Sequence, residues 1–273
     1  MSDDTIPARP LTSARAAELV AERSVADRVV IVTGAASGMG RATAELFGAL
    51  GAKVAAADVS TAQLDAVVAG IVEAGGEASA HRLDVTDNDA ITTFVDVARA
   101  AHGPIDILIN NAGIAHGGPI DGEEFADAWY AVFAVNLHAH MHLIRACLPD
   151  LARNGDGRII NISSTEGLGG TANNSAYGAA KHGVIGLTKS LAVELGPKGI
   201  TVNAICPGPV HTGMTELIPD EAKATFARRR TALRRYGQPH EVAHMTVSLA
   251  MPAASFVTGV ALPVDGGMIA RNQ

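Results

Sequence analysis

The chain has 273 residues, of which 48% are hydrophobic, and a formal net charge of −7 at pH 7. This length suffices for one large α/β domain, and an acidic chain without a long basic stripe is not expected to bind nucleic acid. The two cysteines, Cys147 and Cys206, and the lack of a signal-peptide or membrane-span pattern predict reduced thiols in a cytoplasmic protein that does not enter a membrane.

Residues 1–25 precede the first strong pattern and are predicted to form an N-terminal extension, either a free tail or an arm against a neighbouring subunit. Within it, Ser13 is expected to cap a short helix that runs through Glu22. Residues 26–273 are predicted to form a single domain, because no boundary, repeat or low-complexity tract interrupts them.

Seven strand-like runs alternate with helical stretches along this domain. That alternation predicts an α/β fold with a doubly wound, parallel, seven-stranded sheet and helices on both of its faces. The runs are residues 29–33, 53–57, 79–83, 105–109, 158–162, 200–205 and 260–264.

The first strand-helix unit carries a glycine-rich turn. Residues 29–33 are continuously apolar and β-branched, which is typical of a strand buried on both faces, and a helix-like stretch follows over 41–50. Between them, Gly34, Gly38 and Gly40 allow the backbone to approach a pyrophosphate, and the helix N-terminus offers it N–H groups. This order of strand, glycine-rich turn and helix predicts a dinucleotide site. The alternative is an ordinary turn that happens to be rich in glycine.

The second strand-like run is closed by Asp58, about 20 residues past the glycine turn, where an acid hydrogen-bonds an adenosine ribose. A carboxylate there repels a 2′-phosphate, and neither Val59 nor Ser37 supplies a compensating positive charge. The sequence therefore favours NAD, with NADP less favoured. Asp58 has a second possible role, as the N-cap of the helix that begins near Ser60.

Tyr177 and Lys181 are four residues apart in a helix-like segment, so their side chains share one face. A phenol ordinarily has a pKa near ~10, and a neighbouring ammonium group lowers it by favouring the phenolate. Lys181 and a cationic cofactor ring are expected to make Tyr177 a general acid/base. Taken alone, the pair more often indicates a half-buried tyrosine beside a solvated lysine.

With these three features together, the chain resembles the short-chain dehydrogenase/reductase family over about residues 26–268. Residues 33–40 match its Thr-Gly-x-x-x-Gly-x-Gly turn, and residues 177–181 match its Tyr-x-x-x-Lys pair. The resemblance implies a Rossmann-type fold and an NAD-dependent oxidoreductase that interconverts a small-molecule secondary alcohol and a ketone by hydride transfer. It also implies a homotetramer, built from the helices around 123–150 and 175–195 and the last strand.

The resemblance further implies the catalytic residues. Tyr177 would move the proton, Ser164 would hydrogen-bond the substrate oxygen, and Lys181 would contact the nicotinamide ribose. Asn136 would kink its helix so that a water links Lys181 to bulk solvent. Ser164 is chosen over Ser163 because it lies thirteen residues before Tyr177, the usual separation in the family.

A cofactor-binding set is implied in the same way and is spread along the chain. Asp84 would face the adenine ring, while Val210 and Thr212 would hold the nicotinamide carboxamide. The set is Gly34, Ser37, Gly38, Met39, Gly40, Asp58, Val59, Asp84, Val85, Asn111, Ala112, Gly113, Tyr177, Lys181, Pro207, Gly208, Val210 and Thr212.

Substrate-pocket positions are predicted from family geometry, under a mobile lid over residues 211–236. Ordinary surface-loop residues are an equally open interpretation of these positions. They are His116, Ser164, Glu166, Asn173 and Met214.

Two other functions remain open. One is a 3-oxoacyl-thioester (acyl carrier protein) reductase, which would prefer NADPH, and the other is a non-catalytic NAD-sensing regulator, which would typically lack the tyrosine.

No metal site is predicted. His138, His140 and His142 crowd one helix, but no third ligand is apparent on the face that His138 and His142 share. Hydrogen-bonded helix or interface histidines are the expected alternative.

Overall fold

The computed structural model describes residues 11–271. Its centre is one parallel sheet in the order β3-β2-β1-β4-β5-β6-β7, with helices on both faces, which confirms the predicted fold class. The strands are β1 (Val29–Thr33), β2 (Lys53–Asp58), β3 (Glu77–Arg82), β4 (Ile107–Asn110), β5 (Arg158–Ile162), β6 (Thr201–Pro207) and β7 (Ala261–Val264).

The helices connect these strands and cover the sheet. Within residues 11–271, no helix combines the length and the apolar composition that crossing a membrane requires. The helices are α1 (Ser13–Ala21), α2 (Gly38–Ala49), α3 (Thr61–Glu73), α4 (Asn88–His102), α5 (Phe125–Phe133), α6 (Ala139–Leu151), α7 (Ser175–Leu195), α8 (Gly213–Glu216), α9 (Asp220–Arg230) and α10 (Pro239–Ala250).

The central strands are buried along their whole length because helices pack on both sides of them. Val30 and Val32 of β1 belong to the core on one face of the sheet, and Val29 and Ile31 belong to the core on the other face. This explains why β1 is a continuous apolar run, without the alternation of a strand that has one face in water.

The edge strand β3 begins two residues earlier than the sequence predicts, at Glu77. The predicted start at residue 79 was wrong because β3 has no run of large apolar residues to mark its start. Its polar residues Glu77, Ser79 and His81 alternate with Ala78 and Ala80, and only the alanines pack against the α3 side of the core.

The end of the N-terminal extension folds as α1. Thr12 caps this helix, since its hydroxyl accepts a hydrogen bond from the Arg15 N–H at 3.2 Å, so the prediction of Ser13 as the cap was wrong. Residues 1–10 of the predicted extension lie outside the described residues.

The strand order creates a crevice at the carboxyl end of the sheet. The chain runs outward from β1 to β2 and β3 on one side, then returns to β4 on the other side of β1. The loops after β1 and β4 therefore diverge, and such a switch point is where open α/β sheets bind ligands.

Candidate active site

A cavity of about 520 Å³ occupies this crevice. Its wall combines the glycine turn, the ends of β2, β4 and β5, the start of α7 and the loop before α8. The lining residues are Gly34, Ser37, Gly38, Met39, Gly40, Asp58, Asn111, Ala112, Gly113, Ile114, Ala115, His116, Ile162, Ser163, Tyr177, Lys181, Thr212, Gly213 and Met214.

The glycine turn is held from behind by the loop after β4. The Asn111 side-chain amide donates to the carbonyls of Thr33 at 2.8 Å and Gly34 at 3.2 Å, and the Thr33 hydroxyl accepts from the N–H groups of Asn111 and Ala112. Gly34 has φ +66°, and a Cβ on Gly40 would collide with the Gly34 carbonyl oxygen. The turn is thus a close backbone packing that side chains at these glycines would disrupt.

Asp58 is oriented by the backbone on both sides of it. One carboxylate oxygen accepts from the Ala36 N–H at 3.0 Å, and the other accepts from the Ser60 N–H at 2.9 Å. The contact with Ala36 joins the acid to the glycine turn, while the contact with Ser60 organises the start of α3. The N-cap of α3 is Ser60, so the interpretation of Asp58 as the N-cap was wrong, and Asp58 instead orients the residue that caps the helix.

Tyr177 and Lys181 both lie on α7 and line the cavity, with Lys181 Nζ 5.6 Å from the centre of the Tyr177 ring. In this structure, burial raises the pKa of Tyr177, the Ser164 hydroxyl opposes that shift, and the Glu166 carboxylate adds to it. The protein residues alone therefore do not lower the Tyr177 pKa as expected, because desolvation of the phenolate outweighs the opposing effect of the Ser164 hydroxyl.

Lys181 is almost completely buried and donates from Nζ to the Ile162 carbonyl at 2.8 Å. Burial lowers the pKa of Lys181 to about 8, and the nearby Cys206 thiol acts in the opposite direction. A lysine with a pKa of about 8 keeps its charge near neutral pH and loses it as the pH rises above 8.

Asn136 lies in a π-helical segment, Ala134–His138, that separates α5 from α6. Its side chain accepts from the Ile114 N–H at 2.9 Å and donates to the Ile114 carbonyl at 2.8 Å. These two bonds fix the loop after β4 beside the cavity. A π-bulge thus distorts the helix at Asn136, the position where the family resemblance implies a kink.

The two neighbouring serines differ in what they bind. Ser163 donates to the Lys181 carbonyl at 2.9 Å and so ties β5 to α7. The Ser164 hydroxyl accepts from the Glu166 N–H at 3.1 Å and interacts with Tyr177. Of the two, Ser163 lines the cavity and Ser164 is not among its lining residues, so the choice of Ser164 for the substrate stays a prediction.

Six residues of the predicted cofactor set do not line the cavity. Asp84 accepts from the N–H and hydroxyl of Thr86 in a local turn, and a Cβ on Gly208 would lie 2.7 Å from Asp265 Cα, so both have structural roles here. The six residues are Val59, Asp84, Val85, Pro207, Gly208 and Val210.

A second cavity, of about 720 Å³, adjoins the first and shares His116 with it. Asn173 lines this second cavity and not the first, and the Glu166 side chain accepts a hydrogen bond from the Thr171 hydroxyl. Its wall also carries three carboxylates that the sequence prediction missed, Glu123, Glu124 and Asp127. The sequence signal for them is an acidic run just before the helix that begins at Phe125.

The predicted lid contains α8 and α9 and is closed at its base by the backbone. His211 N–H donates to the Gly237 carbonyl at 3.0 Å, and Gly237 N–H donates to the Pro209 carbonyl at 2.8 Å. Between these points Met214 is 54% exposed and Leu217 is 96% exposed. The lid therefore presents apolar side chains that its own packing leaves uncovered.

Of the three histidines His138, His140 and His142, only His140 is fully buried. His140 is 2% exposed, and neither of its ring nitrogens has a hydrogen-bond partner in the part of the chain that the structure describes. The described protein residues thus supply no partner for His140, and a hydrogen bond at this ring stays a prediction. Across residues 11–271, no group of three His, Cys, Asp or Glu side chains has an arrangement that suits a metal ion.

The cavity fits a dinucleotide in its polar features. Ser37 makes no side-chain bond to the N-terminus of α2, which leaves that end of the helix open to an anion. Asp58 lines one end of the cavity, and Tyr177 with Lys181 lines the other. Residues for a ribose, a pyrophosphate and a reacting ring are thus present along one continuous wall.

Comparison with known proteins agrees with this arrangement. A family model described as enoyl-(acyl carrier protein) reductase matches residues 34–269. The chain is 40% identical to a 3-oxoacyl-(acyl-carrier-protein) reductase of Thermotoga maritima over 242 residues, which cover 89% of this chain and 98% of that protein.

Other similar proteins carry different names. A cis-4-hydroxycyclohexanecarboxylate dehydrogenase of Sinomonas cyclohexanicum is 42% identical over 245 residues, which cover 90% of this chain and 98% of that protein. A 3-alpha-(or 20-beta)-hydroxysteroid dehydrogenase of Mycobacterium bovis is 41% identical, with coverage of 89% and 90%. The crystal structure of a dehydrogenase/reductase from Sinorhizobium meliloti 1021 superposes with a TM-score of 0.86 at 39% identity, over 92% of this chain and 99% of that one.

Proposed function

Because the chain belongs to the short-chain dehydrogenase/reductase family of oxidoreductases, we propose that it interconverts a secondary alcohol and a ketone with NAD. The observation that carries the proposal is the single cavity that contains Tyr177, Lys181 and Asp58. When bound, a nicotinamide cofactor supplies or accepts the hydride.

The protein residues supply positioning and proton transfer. Tyr177 donates a proton to the substrate oxygen in reduction and accepts it in oxidation, while Ser164 hydrogen-bonds the same oxygen. Lys181 is anchored on the Ile162 carbonyl, so its ammonium group is held beneath the tyrosine ring. In the oxidation direction the rate rises with pH as Tyr177 becomes able to accept the proton.

The preference for NAD is supported by the charge and the anchoring of Asp58. Backbone N–H groups hold both of its oxygens, so the carboxylate is fixed beside the glycine turn. A second negative charge, such as a 2′-phosphate, is repelled there unless a basic residue compensates. None of the residues of the described chain that line this cavity is an arginine, and its one lysine, Lys181, belongs to the catalytic pair.

A second candidate is a 3-oxoacyl-thioester reductase that acts on acyl carrier protein with NADPH. The likeness to the Thermotoga maritima reductase favours it. The three carboxylates of the second cavity oppose it, because an acyl carrier delivers its substrate on a phosphate-containing arm that the same charges repel. A non-catalytic sensor is less well supported, since Asn136, Ser164, Tyr177 and Lys181 are all present.

One experiment separates these candidates. Purified protein is titrated with NAD and NADP, and then assayed with a panel of cyclic and linear secondary alcohols and with a 3-oxoacyl thioester. The account predicts tighter binding of NAD, by about tenfold or more, which is 1.4 kcal/mol or more, and turnover of secondary alcohols. Tighter NADP binding together with thioester reduction would replace the first candidate with the second.

We also propose that the chain assembles as a homotetramer through the helices around 123–150 and 175–195 and the last strand. Two large apolar side chains on these helices, Tyr130 and Val193, are 73% and 80% exposed, which supports an interface there. Light scattering coupled to size exclusion tests this, and a monomeric mass would contradict it.

A further inference from the structure

His140 is an unexplained polar residue in a core position. Its neighbours on α6, Ala139, Leu143 and Ile144, all belong to the apolar core, and an aliphatic side chain would suit this position. The ring nitrogens nevertheless find no partner among residues 11–271. Buried polar groups are almost always hydrogen-bonded, so this histidine requires a partner that the protein itself does not provide.

The helix geometry brings His140 toward the catalytic lysine. Asn136 and His140 are four residues apart across the π-helical segment and so share a face. Asn136 and Lys181 both reach Gly113. A Cβ added to Gly113 would lie 3.3 Å from Asn136 Oδ1 and 3.7 Å from Lys181 Nζ. The π-helical segment that precedes His140 also touches α7 directly, since a Cβ on Gly183 of α7 would lie 2.8 Å from Leu137.

Charge and hydrogen-bonding capacity are complementary between the two side chains. Burial lowers the pKa of His140 to about 3, and the Lys181 charge adds to that shift, so the ring is neutral and has one acceptor and one donor nitrogen. Lys181 has three donors as an ammonium group, and one of them is bound to Ile162. The titratable neighbours of Lys181 include His140 itself, Tyr177 and Cys206.

We propose that His140 is a positioning residue for Lys181, and that one water shared between its neutral ring and the ε-ammonium group holds that group charged beneath Tyr177. The water accepts from Lys181 Nζ and donates to the acceptor nitrogen of His140. The inference deepens the proposed function, because a charged Lys181 favours proton acceptance by Tyr177. His140 itself touches neither substrate nor cofactor in this account.

The primary test needs no substrate. The chain has five lysines, so selective ¹³Cε labelling gives few signals, and Lys181→Met identifies the one of interest. Two variants of nearly equal length, His140→Gln and His140→Met, differ mainly in the polar amide. The expected result in the cofactor-free protein is a lower pKa for Lys181 in His140→Met, by about half a unit or more, and a value near wild type in His140→Gln.

The second readout is kinetic and uses whichever alcohol the protein oxidises. The rising limb of kcat against pH is expected to move to higher pH in His140→Met and to stay in place in His140→Gln. His142→Leu, on the same helix and half-buried, is the matched control and leaves both readouts unchanged.

Two results overturn the proposal. One is an identical Lys181 pKa in wild type, His140→Gln and His140→Met. The other is failure of both His140→Met and His140→Leu to fold, which would assign the histidine to the fold. If the Lys181 pKa shifts as expected but no alcohol is turned over, His140 keeps its role toward the lysine and only the proposed reaction fails.

Discussion

The cofactor side and the substrate side of the crevice are built differently. On the cofactor side, the Asn111 side chain and the Asp58 carboxylate bond the backbone of the glycine turn, and the Thr33 hydroxyl accepts from the Asn111 N–H. On the substrate side, the lid is tied at its base and leaves Met214 and Leu217 uncovered. The difference indicates that substitutions in the glycine turn strongly destabilise the cofactor side. Substitutions in the lid and the second cavity are instead expected to change substrate specificity by small free energies.

The largest expected effect is a collapse of the cofactor side. In Gly40→Ala, the added methyl collides with the Gly34 carbonyl and the Asn111 amide, and neither belongs to a flexible chain end. We expect the free energy of unfolding to fall by about 1–3 kcal/mol, as for overpacked sites, and cofactor binding to be lost. Calorimetry and cofactor titration measure the two effects.

Gly70→Ala is the matched control for that change. Gly70 is exposed on α3, and nothing lies within 4 Å of an added Cβ. Alanine there is expected to raise the free energy of unfolding by about 0.5–1 kcal/mol, as alanine does in an exposed helix interior. Equal effects at the two glycines would contradict the contrast between a constrained turn and an ordinary helix.

The next effect is on cofactor choice. In Asp58→Ser the negative charge is removed while a hydroxyl acceptor remains, so repulsion of a 2′-phosphate disappears. The ratio of the Kd values for NADP and NAD is expected to fall by about tenfold, which is 1.4 kcal/mol. An unchanged ratio, with both cofactors still bound, would show that Asp58 acts only on the backbone of the turn and α3.

A smaller effect is expected in the second cavity. Neutralising its acids in Glu123→Gln, Glu124→Gln and Asp127→Asn is expected to improve kcat/KM for a carboxylate-bearing alcohol by about two- to fivefold, because exposed charge pairs contribute less than ~1 kcal/mol. A neutral alcohol of the same size is the control and should be unaffected. The gain in kcat/KM should shrink in high salt, which screens the repulsion between the substrate carboxylate and the acids. A gain that does not depend on salt would indicate that the substitutions act through the shape of the cavity and not through its charge.

The smallest effect is expected on the lid. Leu217→Ala removes a side chain that is 96% exposed, so the free energy of unfolding should stay within about 0.5 kcal/mol of wild type. KM for an apolar alcohol is expected to rise about twofold, because the leucine loses a contact only when the lid covers substrate. A clear loss of stability would mean that the lid is part of the core.

The contrast between the two sides also explains what the sequence could predict. Strand periodicity, the glycine turn and Asp58 are local signals, and the structure brings their residues together in one cavity. The acids at 123, 124 and 127 have no spacing rule, since they face a cavity only after a loop and a helix have packed beside Asn173. The raised pKa of Tyr177 and the unpartnered ring of His140 depend on burial, which the spacing of residues does not report.

The most direct test of the account is the effect of Tyr177→Phe on turnover and on cofactor affinity, measured in the same preparation. The account predicts that turnover falls by about 10²–10⁴-fold, the usual worth of a general acid/base, while the Kd for NAD changes little. Tyr130→Phe, at an exposed position on α5, is the control and should retain full activity. Turnover within a few-fold of wild type in Tyr177→Phe would contradict the assignment of proton transfer to this tyrosine.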